Sequence, residues 1–222
     1  MAAQWSSTSV SFLKGSGYEL ASSEDATIMT LEHASGWEYG DNFFFLDVFQ
    51  PFDTGNALYG EWHPRLNLGK VFNRNMAFGP VSDVLLAGEI NYGCGGTRVY
   101  LYGAGFNLNI PKFNFFSLNI YARDNVGANG DMTFQISPAW NIPFNVGSAR
   151  FECGGFLDYS GADTDHSEAQ LLFVPQVLLD LGNFQDAPGR IYAGIEYQYW
   201  KNKYGVDGFD DNLVQAMVKW FF

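Results

Sequence analysis

Apolar side chains recur at every second position back from the end of the chain: Phe222, Trp220, Val218, Ala216 and Val214. Alternation of this kind marks one face of a β-strand, because successive side chains on a strand point to opposite sides. An ordinary sandwich strand alternates too. The terminal aromatic points elsewhere: it suits a strand that turns its apolar face to lipid and seats its last rings at the membrane interface.

The same period recurs upstream in segments of about ten residues separated by turn signals, the span that a tilted membrane strand needs. In residues 190–200, Ile191, Ala193, Ile195, Tyr197 and Tyr199 share one face, and Arg190, Glu196, Gln198 and Trp200 the other. Leu171, Phe173, Pro175, Val177 and Leu179 alternate with Gln170, Gln176 and Asp180; Phe151, Cys153, Leu157 and Tyr159 with Arg150, Glu152 and Asp158; Phe134, Ile136, Pro138 and Trp140 with Gln135, Ser137 and Asn141. Leu118, Ile120 and Ala122 oppose Asn119, Tyr121 and Arg123, while Val84, Leu86 and Ile90 oppose Asp83, Glu89 and Asn91. Charges keep to one side. The cleanest polar stripe is Tyr59, Glu61, His63, Arg65 and Asn67, opposite Leu58, Trp62, Leu66 and Leu68. Residues 42–50 place Phe44, Leu46 and Val48 on one face and Phe43, Phe45, Asp47 and Phe49 on the other. The second face is assigned to the interior, since a carboxylate among acyl chains costs about 2 kcal/mol or more. Strands near residues 5–13 and 26–34 are less regular, and Pro175, which lacks an N–H, implies a bulge or a weakened ladder.

About twelve strands result, an even number, and predict an all-β fold: a transmembrane antiparallel up-and-down β-barrel forming one domain over residues 1–222. Aromatic girdles explain why 18% of the 222 residues are aromatic. No run of about 18 apolar residues could form a spanning helix, which is no objection to a barrel that hides its membrane signal in alternation. A net charge of −12 excludes nucleic acid as a partner, because phosphate binding wants clustered Lys and Arg. Cys94 and Cys153 lack any CxxC or Cys/His spacing, so two free thiols are expected, with no metal and no cofactor. Residues 1–4 are too short for a signal peptide, which reads the chain as a mature form with an added start Met. With Phe222 at the periplasmic end, the links 35–40, 71–81, 110–114 and 141–145 fall on that side. The opposite set is more acidic, notably residues 160–166 and 207–211; neither has EF-hand spacing, so both are read as solvated loops touching divalent ions at the lipopolysaccharide surface.

About 8 strands leave a lumen just filled by side chains and 16 to 18 a wide channel, so about twelve predict a narrow pore. The expected lining sets Phe43, Phe45, Tyr59 and Trp200 beside Asp47, Glu61, His63, Arg65, Asn67, Asn119, Arg123, Arg150, Glu152, Glu196 and Gln198. Aromatic faces and hydrogen-bonding groups together suit flat, neutral, polar solutes. The same charges could instead pair across the barrel and hold it open. An enzyme is disfavoured: of His33, His63 and His166, His63 alone lies in a polar strand stripe, and no GxSxG elbow occurs. A receptor or adhesin barrel would want longer loops. A soluble lipid-carrying barrel would reverse the two faces, and periodicity alone does not separate it from a membrane barrel.

Residues 26–47, which include Leu31-Glu32-His33-Ala34-Ser35-Gly36-Trp37-Glu38-Tyr39-Gly40-Asp41-Asn42, together with Tyr59-Gly60-Glu61-Trp62-His63-Pro64-Arg65 and Asp83-Val84-Leu85-Leu86-Ala87-Gly88-Glu89, resemble the Tsx-type nucleoside-specific channel family. Tyr102-Gly103-Ala104-Gly105-Phe106, Gly194-Ile195-Glu196-Tyr197-Gln198-Tyr199-Trp200 and the last eight residues complete the likeness, which runs from about residue 26 to the end. The resemblance implies a twelve-stranded bacterial outer-membrane barrel, embedded in lipid and lipopolysaccharide, through which nucleosides or similar small polar solutes diffuse down their gradient. It also implies that the closing strand is read by the barrel assembly machinery; a monomer is expected. A general narrow, cation-preferring pore, or a receptor barrel without nucleoside specificity, is the alternative.

Overall fold

The computed structural model describes all residues except 1, 22, 54, 55, 127–130 and 165. Its strands are β1 (Trp5–Ser16), β2 (Asp25–Trp37), β3 (Gly40–Phe49), β4 (Ala57–Asn67), β5 (Val81–Gly93), β6 (Arg98–Leu108), β7 (Phe115–Asn125), β8 (Thr133–Val146), β9 (Ala149–Ser160), β10 (Gln170–Asp180), β11 (Ile191–Lys201) and β12 (Asp211–Phe221). Each pairs antiparallel with its neighbours in sequence, and β12 returns to β1 with Val10 opposite Trp220 and Phe12 opposite Val218. Closure gives every strand a partner on both sides and leaves no sheet edge, which a backbone in hydrocarbon requires. One helical turn, α1 (Leu68–Val71), follows β4, capped by the Asn67 side chain. No helix among the described residues is long and apolar enough to cross a membrane, which says nothing against crossing by strands.

The two faces fall as the membrane reading requires. Phe134, Ile195 and Val218 are 44%, 48% and 50% exposed on the outside, whereas Glu61 and Arg65 line the interior. A soluble carrier with a greasy centre is thereby overturned: each large apolar side chain left in water rather than buried forgoes about 1.5–3 kcal/mol, so the outer belt needs lipid. The interior is nonetheless not polar throughout. Leu13, Ile28, Leu178, Leu213 and Met217 pack with Tyr18 and Tyr192 into a buried cluster on the sector formed by β1, β2 and β10 to β12. A smaller cluster of Ala87, Val99, Leu101 and Tyr121 lies on β5 to β7.

Three prolines interrupt ladders without shifting register. At Pro64 the β4–β5 ladder stops at Trp62/Ile90 and resumes at Arg65/Ala87. At Pro138 the β8–β9 ladder skips from Ile136/Tyr159 to Ala139/Phe156, and at Pro175 the β10–β11 ladder skips from Phe173/Tyr199 to Gln176/Glu196. The opposite ladder stays paired at each site, because a residue in an antiparallel sheet directs its N–H to one neighbour. Pro175 thus weakens a ladder as expected and makes no bulge; the register shift lies at Val81/Asp83 instead. Opposite Pro175 sits Gly155, at φ +146°, where a Cβ would lie 2.3 Å from the Val174 carbonyl oxygen. The backbones approach so closely there that only glycine fits.

The turns are tighter than the sequence suggests. Residues 141–145 belong to β8, not to a link, and its turn is Gly147-Ser148; β2 and β3 likewise run into a two-residue turn at Glu38-Tyr39. Cys94 and Cys153 are free, at an exposed turn and in mid-strand. In the acidic far-end loop, Asp163 accepts hydrogen bonds from Asn125 Nδ2 at 2.5 Å and from the His166 backbone N–H at 2.7 Å; Asp165 lies outside the described residues.

Candidate functional site

The barrel encloses a cavity of 1760 Å³, lined from Gln4 and Lys70 at the end that carries both termini to Gly96 and His166 at the other. Strand parity brings Phe43, Phe45, Asp47, Tyr59, Glu61, His63, Arg65, Asn67, Asn119, Arg123, Glu152, Glu196, Gln198 and Trp200 to its wall. Arg150 does not reach it. Its parity is right, but it pairs with Asn145 beside the Gly147-Ser148 turn, so the guanidinium is exposed at the rim, in a separate recess of 340 Å³ with Asp180 and Phe144. Alternation reports which face a residue takes, and height along the barrel depends on where the strand ends.

On β3 and β4 the aromatic rings form a continuous run. Phe43 lies 5.6 Å from the His63 ring and 6.1 Å from Phe45, which lies 6.0 Å from Tyr59, all at tilted angles. Cross-strand register sets this spacing, with Phe43 opposite His63 and Phe45 opposite Glu61. Carboxylates sit directly alongside. Glu61 Oε1 accepts the Tyr59 hydroxyl at 2.5 Å and its Oε2 lies 2.8 Å from His63 Nε2, while His63 Nδ1 lies 3.3 Å from Glu89 Oε2. Asp47 accepts the Thr30 hydroxyl at 2.6 Å, and Glu196 accepts amide N–H groups of Gln176 at 2.6 Å and Gln215 at 2.8 Å.

The other expected residues are tied more firmly to structure. Arg65 makes a two-pronged bond to Asp41, at 2.7 and 3.0 Å. Asn67 donates to Asp83 at 2.7 Å and accepts the Lys70 N–H at 3.0 Å. Arg123 donates to Gln135 Oε1 at 2.5 Å, Glu152 accepts the Tyr192 hydroxyl at 3.0 Å, and Gln198 donates to Asp211 at 2.7 Å. Lys219 pairs with Glu32. At the far mouth, buried Lys203 donates to Asp211 Oδ2 and to the Glu19 carbonyl, each at 2.7 Å, with the rings of Tyr18, Trp200 and Tyr204 5.4 to 5.9 Å from its ammonium.

Asp41, Glu89, Gln135 and Lys203 are missing from the sequence-based set. Glu89 and Gln135 carry a signal there, since parity already places both inside; Asp41 and Lys203 needed their partners across the sheet. Four buried atoms on the inward face, Ser11 Oγ, Asn91 Oδ1, Asn119 Oδ1 and the Tyr121 hydroxyl, have no hydrogen-bond partner among the described residues. An unsatisfied buried polar group costs about 1–3 kcal/mol, so these positions attract water or the polar groups of a passing solute.

A closed barrel with an apolar outer belt and a polar, aromatic-lined cavity reaching both ends is a bacterial outer-membrane β-barrel of the channel-forming class. Over residues 2–220 the chain matches the family described as "Nucleoside-specific channel-forming protein, Tsx", and it belongs to that family. It is 27% identical, over 130 residues, to "Outer membrane protein OmpK" of Vibrio parahaemolyticus; the match covers 54% of this chain and 48% of that protein, so the chain spans about half the length of this curated relative. Among solved structures it is similar to a KdgM porin, with a TM-score of 0.57 at 8% identity over 96% of this chain and 99% of that one. A KdgM porin in complex with disordered oligogalacturonate gives 0.55 at 7% identity over the same shares. Likeness at such identity is one of fold alone. The family and these structural neighbours are channels and porins rather than enzymes.

Proposed function

We propose that the barrel is a passive channel for nucleosides. Support comes from one observation above all: the run Phe43, Phe45 and Tyr59 stands beside Glu61 and His63 in the cavity wall, in a chain of the nucleoside-specific channel family. A base is a flat ring with polar edges, so it stacks on such a run while a neighbouring carboxylate or amide meets its edge or its ribose hydroxyls. Asn119, Gln198 and Trp200 elsewhere in the cavity wall add weak sites in series, which favours passage because a tightly held solute would block its own exit. The barrel acts as a monomer in lipid and lipopolysaccharide, and the outward face of β12 is what the assembly machinery reads.

In a planar bilayer, adenosine should reduce the single-channel conductance more than a sugar of similar size does, and Phe45→Ala should weaken that block about tenfold. Equal block by both solutes would leave a general narrow pore. That second reading has its own observation: Asp47 and Glu196 are held by neutral groups rather than by cations, which predicts preference for small cations over chloride.

A further inference from the structure

At the gap that Pro64 leaves in the β4–β5 ladder, His63 faces Glu89 across the sheet with Glu61 on its other side. Each of the three offers one ligand atom, and these lie within 4.8 Å of one another. They form the sole cluster of three or more potential metal ligands among the described residues; the acidic far-end loops do not form one. We propose that Glu61, His63 and Glu89 are a lumenal binding site for a divalent transition-metal cation of the Zn2+ type, which would occlude the channel from within.

Ligand chemistry supports this choice. Imidazole nitrogen and carboxylate oxygen are both zinc ligands, and three protein ligands leave a remaining position for water or another group, as in open zinc sites; this set is richer in carboxylate than their usual ones. The same set is poor for Mg2+, which keeps its waters and prefers octahedral oxygen, and imidazole directs selection towards Zn2+, Ni2+ and Cu2+. Asn91, 3% exposed and opposite Glu61 in the ladder, adds an independent observation beside the triad: its amide lies against the Glu89 carboxylate, and its buried Oδ1 has no partner among the described residues. The outer arrangement is also in place, since the Tyr59 hydroxyl donates to the Glu61 oxygen not facing His63, orienting the carboxylate. As it stands, Glu61 and His63 hold each other through a shared proton. A cation bound at one ring nitrogen displaces any proton held there, which moves to the other ring nitrogen or, from the doubly protonated ring, to solvent.

The inference goes beyond nucleoside passage and does not depend on it, because the decisive measurement needs no solute. Titration calorimetry of the folded, detergent-purified protein with ZnCl2 alone should show one equivalent bound, and MgCl2 none. His63→Gln and Glu89→Gln, each checked for the heat-dependent gel mobility of a folded barrel, should loosen Zn2+ about tenfold or more. His166→Gln, in the acidic loop, should leave it unchanged. In a planar bilayer the same Zn2+ should produce discrete closures in the wild type that disappear in His63→Gln. Absence of Zn2+ binding by the wild type, undiminished binding by folded His63→Gln, or loss of binding in His166→Gln alone would each overturn the proposal, leaving the triad as a structural bridge between β4 and β5.

Discussion

Lys203→Met tests what the ion pair at the far mouth contributes. Lys203 and Asp211 side chains are 5% and 0% exposed, and between them they grip the backbone of one residue: Asp211 Oδ1 accepts the Glu19 N–H at 2.8 Å while Lys203 donates to the Glu19 carbonyl at 2.7 Å. Breaking a buried pair by removing one partner costs about 3–5 kcal/mol, because the other charge is left uncompensated. Asp211 would retain hydrogen bonds from Glu19 and Gln198, which places the expected loss near the lower limit, about 3 kcal/mol, or roughly two decades in the folded-to-unfolded ratio. Urea unfolding in lipid vesicles, followed by tryptophan fluorescence and by gel mobility, measures it. Lys203→Met combined with Asp211→Asn should recover more than half of the loss, since no bare carboxylate then remains. The single variant should also raise conductance, because Glu19 and the neighbouring Tyr18 in the cavity lining lose their anchor at the far end. A single variant within about 0.5 kcal/mol of wild type, the usual range for an inconsequential surface change, or a double variant no better than the single one, would refute the reasoning.

Gly155→Ala should lower the urea midpoint by an amount corresponding to about 1–3 kcal/mol, given its φ of +146° and the Val174 oxygen 2.3 Å from the added carbon; Gly95→Ala, with open space around it, should not change the midpoint. Burial foremost, then the charges of Glu196, Asp211 and Asp47, raises the Tyr18 phenol above its ordinary value. Its neutral form is therefore favoured in the folded state, so this contribution is fully present below pH of about 10 and declines above it, where the unfolded chain ionises and the folded one does not. The urea midpoint measured upward from pH 9 should fall less steeply in Tyr18→Phe than in the wild type.

Much of the fold was legible because a strand has a period of two and a charge in hydrocarbon is expensive. Those two facts fix which side of Tyr59, Glu61, His63 and Arg65 faces inward, and the terminal run from Val214 to Phe222 shows the same logic from its apolar face. They led correctly to twelve strands, to a closed barrel in the outer membrane and, with the quoted motifs, to the channel family. Less regular strands were harder to read: the inward face of β1 and β2 mixes Ser9, Ser11 and Thr30 with Leu13 and Ile28, so its purpose shows only when Leu178, Leu213 and Met217 arrive from the other end of the chain.

Local pattern therefore determined the side each residue takes, and tertiary structure decided its height and its partner. Arg150 has the lumenal parity and still ends at the rim, because the length of β8 sets where the turn falls. Arg65 meets Asp41, and His63 meets Glu89, through pairings 24 and 26 positions apart that no single strand encodes. A pore wall is made of neighbours across hydrogen-bonded strands, and that adjacency exists only once the sheet has closed.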